Sequence, residues 1–582
     1  MYPPSAVSRK LHLNLLLSAA AGALLLASCV SDGADGHDGE DGHDGQNGQN
    51  GGDGTDGMDG ADGHSPSAGI FVRELGRYET GVFNKSAAEI VAFDPGSKRA
   101  FVVDALASRV DVLDLSTPAT PTLVDSLDAA AAAPARMLGA ANSVSVHGGV
   151  IAIAIEADPK TDPGLVAFYD AATLALRTTV DVGALPDMVT FTPDGRYVLT
   201  ANEGEPSADY AVDPEGSVSI IDISAGFGTP PPVRHATFTA FNERRDALRA
   251  AGVRIFGAHD ASVAQDVEPE YIAVAKDGST AWVTLQENDA IAVVDLATAT
   301  VTDVRPLGFK NHAIPGNELD ASDQDGAIAI RTWPIFGMYQ PDGIASYQAA
   351  GATYLVTANE GDGRDYGTAL KEEARIKDLT LDPIAFPDGA TLKRPEQLGR
   401  LTVTNKLGDT DGDGDFDRLY ALGGRSFSIW DAATGGLVYD SGNELEVRTA
   451  VRFGTAFNSD STANGGDNRS DNKGPEPEGV ALGTIDGSTY AFIGLERMSG
   501  IVVYDVTLPE SPRFIQYVNP RHFGVAFDGN NPTQLSAAGD LGPEGLAFVA
   551  ADKSPTGKPM LLVGNEVSGS TGVYEIARLP EE

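Results

Sequence analysis

Cysteine is almost missing from this chain, with a single one, Cys29, in 582 residues. No intrachain disulfide can form, so the body must be held by a packed core or by bound ions. Positive charge is scarce too. Against 83 Asp and Glu stand 41 Lys and Arg, a formal charge of -42. That balance argues against nucleic acid or an anionic lipid surface as a partner and makes cations the natural counterpart. Segments with a 3.6-residue apolar period are nearly absent beyond Ser67, which excludes a helical body. Familiar catalytic motifs are missing as well. There is no Gly-x-Ser-x-Gly, His-Glu-x-x-His, Walker loop or Cys-x-x-Cys, and the nine histidines show no metal-ligand spacing. What is present is 42% hydrophobic residues, enough for a large core, together with 67 Gly and 34 Pro, which imply many turns.

The position of the one cysteine carries information. Leu26-Ala27-Ser28-Cys29 closes an apolar run that begins near Leu11, behind Arg9 and Lys10. A basic segment, an apolar segment and small residues before a cut describe a secretory signal, too short and wrongly flanked for a spanning helix. A cysteine at that cut is the lipid acceptor of a bacterial lipoprotein. The expectation is a signal peptide over 1–28, lipidation of Cys29 and attachment to the cell envelope through the lipid. Val30 follows in place of Asp, which favours the outer membrane or cell surface.

From Gly33 to Gly63 every third residue is glycine, with Asp or Asn closing nearly every triplet. Glycine at that spacing is what a collagen triple helix needs at its axis. The acidic tract over 30–66 has no proline between Gly33 and Gly63 to pre-set the extended helix and no basic residue to offset its acids. An extended spacer is therefore favoured over a trimerising stalk. At ~3.1 Å per residue it reaches on the order of 100 Å.

From 67 to 582 the chain reads as short β-strands, and internal repetition narrows the architecture. Seven segments share one opening, an acid or Asn followed by alternating aliphatic and small residues. They start at Glu89, Asn142, Asp187, Glu270, Asp342, Glu478 and Glu544. Each is followed by a second strand ending in an acid, at Asp104, Glu156, Glu203, Glu287, Glu360, Glu496 and Glu566, and commonly by a third strand ending in Asp. Units of three or four antiparallel strands, each too small to bury its own faces, mark a β-propeller. Seven blades are expected. The last unit stops one strand short, and Ile70 to Leu75 could supply the missing outer strand and close the ring. An insertion is expected at about 362–418. The strands after it, RLYAL, RSFSIWD and GLVYD, leave an eighth blade as the alternative.

In an antiparallel meander the start of the first strand and the end of the second lie at the same edge. The repeated acids should therefore gather around one mouth of the central channel. Carboxylates crowded in this way need cations or backbone donors to stay ionised. Calcium fits an exported protein, because it takes several hard oxygen ligands in flexible geometry. The candidate ligands are Glu203, Glu360, Glu478, Glu544 and Glu566; the alternative is that these acids only accept backbone N–H bonds. A second candidate runs from Asp409 to Asp417, with Asp409, Asp411, Asp413 and Asp417 at positions one, three, five and nine and Gly414 at six. Tyr420 replaces the glutamate an EF-hand has at twelve, so the nine-residue form resembles the calcium loops of integrin-type propellers. Arg364 and Lys473 are the basic residues that could steady a phosphate, and both could equally serve as ion-pair partners for the acids.

Several stretches, TWPIFGMYQPDGIAS (332 to 346), TANEGDGRDY (357 to 366), SFSIWD (426 to 431), DNRSDNKGPEPEGV (467 to 480) and GNEVSGSTGVYEI (564 to 576), resemble the choice-of-anchor I family. That family is related to the animal mesenchyme-specific cell-surface glycoproteins. The resemblance implies an exported propeller-like protein attached by an anchor. Some relatives carry an alkaline-phosphatase label, and EGDGRDY and PEPEG are similar in character to phytase-like propellers. Two functions follow as expectations: a membrane-anchored, calcium-binding surface module for a polymer or other ligand, or a calcium-dependent phosphoesterase.

Overall fold

Successive residues of a β-strand face opposite sides of its sheet, and in this chain both sides are apolar. In Arg99–Asp104, Phe101 and Val103 enter one buried cluster while Ala100 and Val102 enter another. Such strands must be covered on both faces, which no isolated meander can do. The computed structural model describes residues 69–527 and 531–579. Cys29, the signal segment and the glycine tract lie outside the described residues.

Among the described residues there are seven four-stranded antiparallel sheets and one five-stranded sheet. Six of the seven are consecutive meanders or nearly so: 91–128, 138–184, 186–237, 269–306, 344–440 and 477–518. The innermost strand of each packs on that of the next, and the seventh, Pro543–Val549, packs on the first, Val91–Asp94. This closed cycle is a β-propeller arrangement. Its core is divided into apolar seams between neighbouring sheets: Phe101 and Val103 meet Val144 and Ile153, Phe168 meets Val189 and Val198, Leu199 meets Val283, and Trp282 meets Trp430. Beyond these, Phe427 meets Ile493, Phe492 meets Leu561, and Val102 meets Leu562.

The seventh sheet is completed from the other end of the chain. Ile70–Glu79 pairs antiparallel with Ser570–Arg578 as the outer strand. It is also tied to the sixth sheet, where Gln516 bridges the backbone of Val72 by accepting from its N–H (2.8 Å) and donating to its carbonyl (3.0 Å).

The excursion expected at 362–418 is part of a larger feature. Phe309–Asn311, Phe336–Met338, Tyr420–Ala421, Thr402–Thr404 and Glu373–Arg375 form the five-stranded sheet, in which Phe336–Met338 and Tyr420–Ala421 run parallel. It has its own core around Trp333, Ile376, Leu398, Val403 and Leu419. RLYAL belongs to this sheet. Ser426–Asp431 and Leu437–Asp440 instead complete the fifth sheet, beside Ala352–Asn359. The three strands following the insertion thus do not form a sheet of their own. Their apolar patterning alone could not separate them, because strands from different sheets follow each other directly in the chain.

The aspartates that end third strands have a local role. Asp170, Asp295 and Asp431 accept from the backbone N–H of Thr173 (2.8 Å), Thr298 (2.7 Å) and Thr434 (2.7 Å). They close the turns to the outer strands, as Asp does where a side chain can mimic a backbone acceptor.

Candidate functional site: an acidic mouth and an aspartate loop

The near-identical ends Thr200-Ala201-Asn202-Glu203 and Thr357-Ala358-Asn359-Glu360 are built the same way. The Asn202 amide donates to Ser217 carbonyl and Ser219 Oγ and accepts from Thr200 Oγ1. The Asn359 amide donates to Ser426 and Ser428 Oγ and accepts from Thr357 Oγ1. Each buried amide pins second strand to third, and so fixes where the following glutamate emerges.

The emerging carboxylates converge. Oxygens of Glu89, Glu544 and Glu566 lie within 4.8 Å of one another, as do those of Asp342, Glu360 and Glu478, and those of Glu360, Glu476 and Glu496. A cavity of about 290 Å³ opens among Glu89, Glu156, Asp187, Glu203, Glu205, Asp342 and Glu544, with Lys160 on its wall. Tyr271, Ile90, Ser143 and Met188 line both this cavity and a wider one of about 1090 Å³, which carries His147, Arg177 and Lys553. These side chains therefore form the waist between the two.

Burial and mutual repulsion raise several of the ring's carboxyls above the usual range. Burial pushes Glu89 up to about 8 against a lowering by a hydrogen bond with Ser86, with smaller upward contributions from Glu566 and Asp187. Burial, with Glu205 and Glu156, pushes Asp187 up to about 7. Glu203, Glu270, Asp342, Glu478, Glu496 and Glu544 are all raised well above the ordinary carboxylate value, burial being the largest cause in each. Glu270, Glu478 and Glu544 each keep one buried oxygen, Oε2, without a hydrogen-bond partner. Buried polar atoms are rarely left so.

Protein cations offset part of the ring. Arg364 lies 3.2 Å from both Asp266 and Glu268 and 4.0 Å from Glu287. Lys473 reaches Glu360 at 2.6 Å and Glu476 at 3.2 Å. Arg497 reaches Glu476 at 3.1 Å and Glu496 at 2.6 Å. Lys160 pairs with Glu205. Arg364 and Lys473, the two basic residues singled out in the sequence, are thus buried ion-pair partners. Sequence reading missed Lys160, whose signal is only its place four residues after the acid Glu156.

Of the candidate mouth ligands, Glu360 and Glu478 share one cluster and Glu544 and Glu566 another, while Glu203 lines the cavity beside Asp187. Two partners not in the ligand set, Glu89 and Asp342, complete the clusters; both open first strands. In the aspartate loop, Asp409, Asp411 and Asp417 come within 4.8 Å of one another, and Asp417 also meets Asp415 and Asp382. Asp413 is not in either group and accepts from Asp415 N–H (3.1 Å). Asp382 arrives through the bridge between Leu381 and Phe416, a tertiary contact with no signature in the motif.

The class is that of a β-propeller with an acidic channel mouth. A model of the choice-of-anchor I domain matches residues 89–509, and the chain belongs to that family. Among characterised relatives, Gigasin-3a of Magallana gigas is 31% identical over 193 residues, 31% of this chain and 66% of the relative. The mesenchyme-specific cell surface glycoprotein of Strongylocentrotus purpuratus is 30% identical over 273 residues, 41% of this chain and 35% of the relative. The matched parts therefore span just under two thirds of the one and about a third of the other. Solved structures similar in outline include Kuenenia stuttgartiensis hydrazine synthase, with TM-score 0.43 and 11% identity over 86% of this chain and 100% of that one. Another is the WD40 domain of Toxoplasma gondii coronin, with TM-score 0.42 and 8% identity over 88% of each.

Proposed function

We propose that this protein is a lipid-anchored, exported calcium-binding β-propeller of seven blades that serves as a surface binding or scaffold module. The observation that carries the proposal is the crowding of largely half-buried carboxylates at one mouth, with the buried Oε2 of Glu270, Glu478 and Glu544 left unpartnered. Hard oxygen ligands in excess of protein cations are what calcium requires. Glu203, Glu360, Glu478, Glu544 and Glu566 would hold ions at the mouth, and Asp409, Asp411 and Asp417, with Asp413 nearby, in the loop. Bound calcium would supply the positive charge that lets these groups ionise while buried. The seven-blade count is supported by the closed cycle of four-stranded sheets, the five-stranded sheet being built from two strands between the fourth and fifth sheets and three inserted within the fifth. Similarity to a cell surface glycoprotein supports a location at the surface, and the residues before Cys29 support a lipid anchor. The alternative of a calcium-dependent phosphoesterase is the weaker one, because Arg364 and Lys473 are committed to carboxylates.

Calorimetry with calcium, and melting with and without chelator, test the proposal. A ligand that binds only the folded state adds ~2.7 kcal/mol at a hundred times its Kd, so chelation should lower Tm clearly. Asp411→Asn with Asp413→Asn should remove only the loop's share, and Glu203→Gln with Glu360→Gln only the mouth's. A Tm indifferent to chelator, with no calcium uptake, would refute the proposal.

A further inference from the structure

Two seams of the ring share one arrangement, in which the acid opening a sheet, the acid ending that sheet's second strand and the acid opening the next sheet come within 4.8 Å of one another: Asp342, Glu360 and Glu478 at one, Glu544, Glu566 and Glu89 at the other. At most seams a protein cation or an amide already answers the charge. Asn142 replaces an acid at two of them, Arg364 serves the seam at Glu287, and Lys473 and Arg497 serve those at Glu360 and Glu496. Among the described residues neither the seam of Asp187, Glu203 and Glu270 nor the seam where the last sheet meets the first has such an answer, and of these two the latter is the one where three carboxylates converge. Glu544, Glu566 and Glu89 present oxygens within 4.8 Å of one another, and among the described residues no Lys or Arg forms an ion pair with any of them. Glu544 Oε2 is buried there without a partner. A Cβ on Gly564 would stand 1.7 Å from the Glu89 carbonyl oxygen, and one on Gly545 2.6 Å from Ile90 Cα, so the two sheets are in backbone contact at this point.

We propose that one calcium ion binds at this seam through Glu89, Glu544 and Glu566 and clasps the first sheet to the last, at the junction where Ile70–Glu79 closes the ring. The inference rests on the mouth binding calcium, and adds which seam is occupied and what the ion does there. Three carboxylates with no direct ion pair to a basic residue, Arg497 acting on Glu566 only from a longer range, form a site for a hard divalent cation. Because the ion joins segments more than 450 residues apart in the chain, its loss should loosen the closure before the rest of the ring.

The test uses the full chain, with calcium as the probe. Amide exchange is followed with and without chelator, and calcium stoichiometry is measured for the parent and for Glu89→Gln with Glu544→Gln. Chelation is expected to speed exchange about ten-fold or more in residues 70–79 and 570–578, with little change in the third sheet. The double variant is expected to bind one ion fewer. In chelator it should melt above the parent, because repulsion is relieved, and in calcium below it; a purely structural pair of glutamates would not give this reversal. Should that variant fail to fold, the exchange experiment on the parent still decides. Unchanged stoichiometry in the variant, or exchange at the closure indifferent to chelator in a parent that binds calcium, overturns the clasp and leaves the mouth as a calcium site elsewhere. A parent that takes up no calcium overturns both.

Discussion

Glu89 shows how strongly the fold acts on a single side chain. Its carboxyl, pushed up from the ordinary 4.5 to about 8 by burial and by Glu566 and Asp187, stays protonated in the folded state where the unfolded chain has released the proton. Below 4.5 both states hold it. Between 4.5 and 8 the unfolded state binds fewer protons, so stability falls as pH rises through that window, and above 8 the loss is complete. Asp187, raised to about 7, acts in the same sense. Denaturant unfolding in chelator should therefore give falling stability from pH 5 to 8, and calcium should flatten or reverse the slope. Asn202 makes the opposite case, a polar side chain that is fully satisfied. Asn202→Ala would strand Thr200, Ser217 and Ser219 in a buried site and should cost about 1–3 kcal/mol in equilibrium unfolding.

At the scale of the element, stability lies in the seams rather than in the sheets. No four-stranded unit here covers its own faces, and each middle strand, such as Arg99–Asp104 or Tyr197–Asn202, divides its side chains between two neighbours. An edge left open in one sheet exposes a row of unpaired backbone groups and uncovers the adjoining seam. Deleting Ile70 to Leu75 removes Ile70 and Val72 from the seam between the sixth and seventh sheets. It should lower the melting temperature of the whole ring, whereas deleting Gly33 to Gly63 should leave it nearly unchanged. Equal tolerance of both deletions in thermal melts would contradict a closure that carries load.

For the whole molecule, a charge of -42 is distributed unevenly: part is solvated at the surface and part converges on one mouth. Net charge of this size keeps a protein soluble but works against its compact state, and cations bound as proposed would offset both the local and the global repulsion. The anchor expectation also belongs to this scale. Cys29→Ser should abolish fatty-acid labelling and shift the protein from the membrane fraction to the soluble fraction or to uncut precursor; labelling that persists would exclude lipidation at this residue.

Much of the fold was legible because strand patterning is local. The repeated acidic openings and strand-end acids mark the meanders, the missing last strand points to Ile70, and the copies around Asn202 and Asn359 reflect one hydrogen-bonded clamp used twice. The glycines beside the acids, Gly343, Gly479 and Gly545, are visible in the sequence, but their reason is not. Only packing shows that each sits where a Cβ would strike the next sheet's backbone. The choice among the acids was likewise tertiary. The sequence alone determined that acids would gather at one edge, since strand ends of a meander share an edge. Which three touch, which are answered by Arg364, Lys473 or Arg497, and that Asp382 joins the loop at Asp417 depend on contacts between residues up to hundreds of positions apart. No local pattern encodes those distances, because they are set by how the seams pack and where the ring closes.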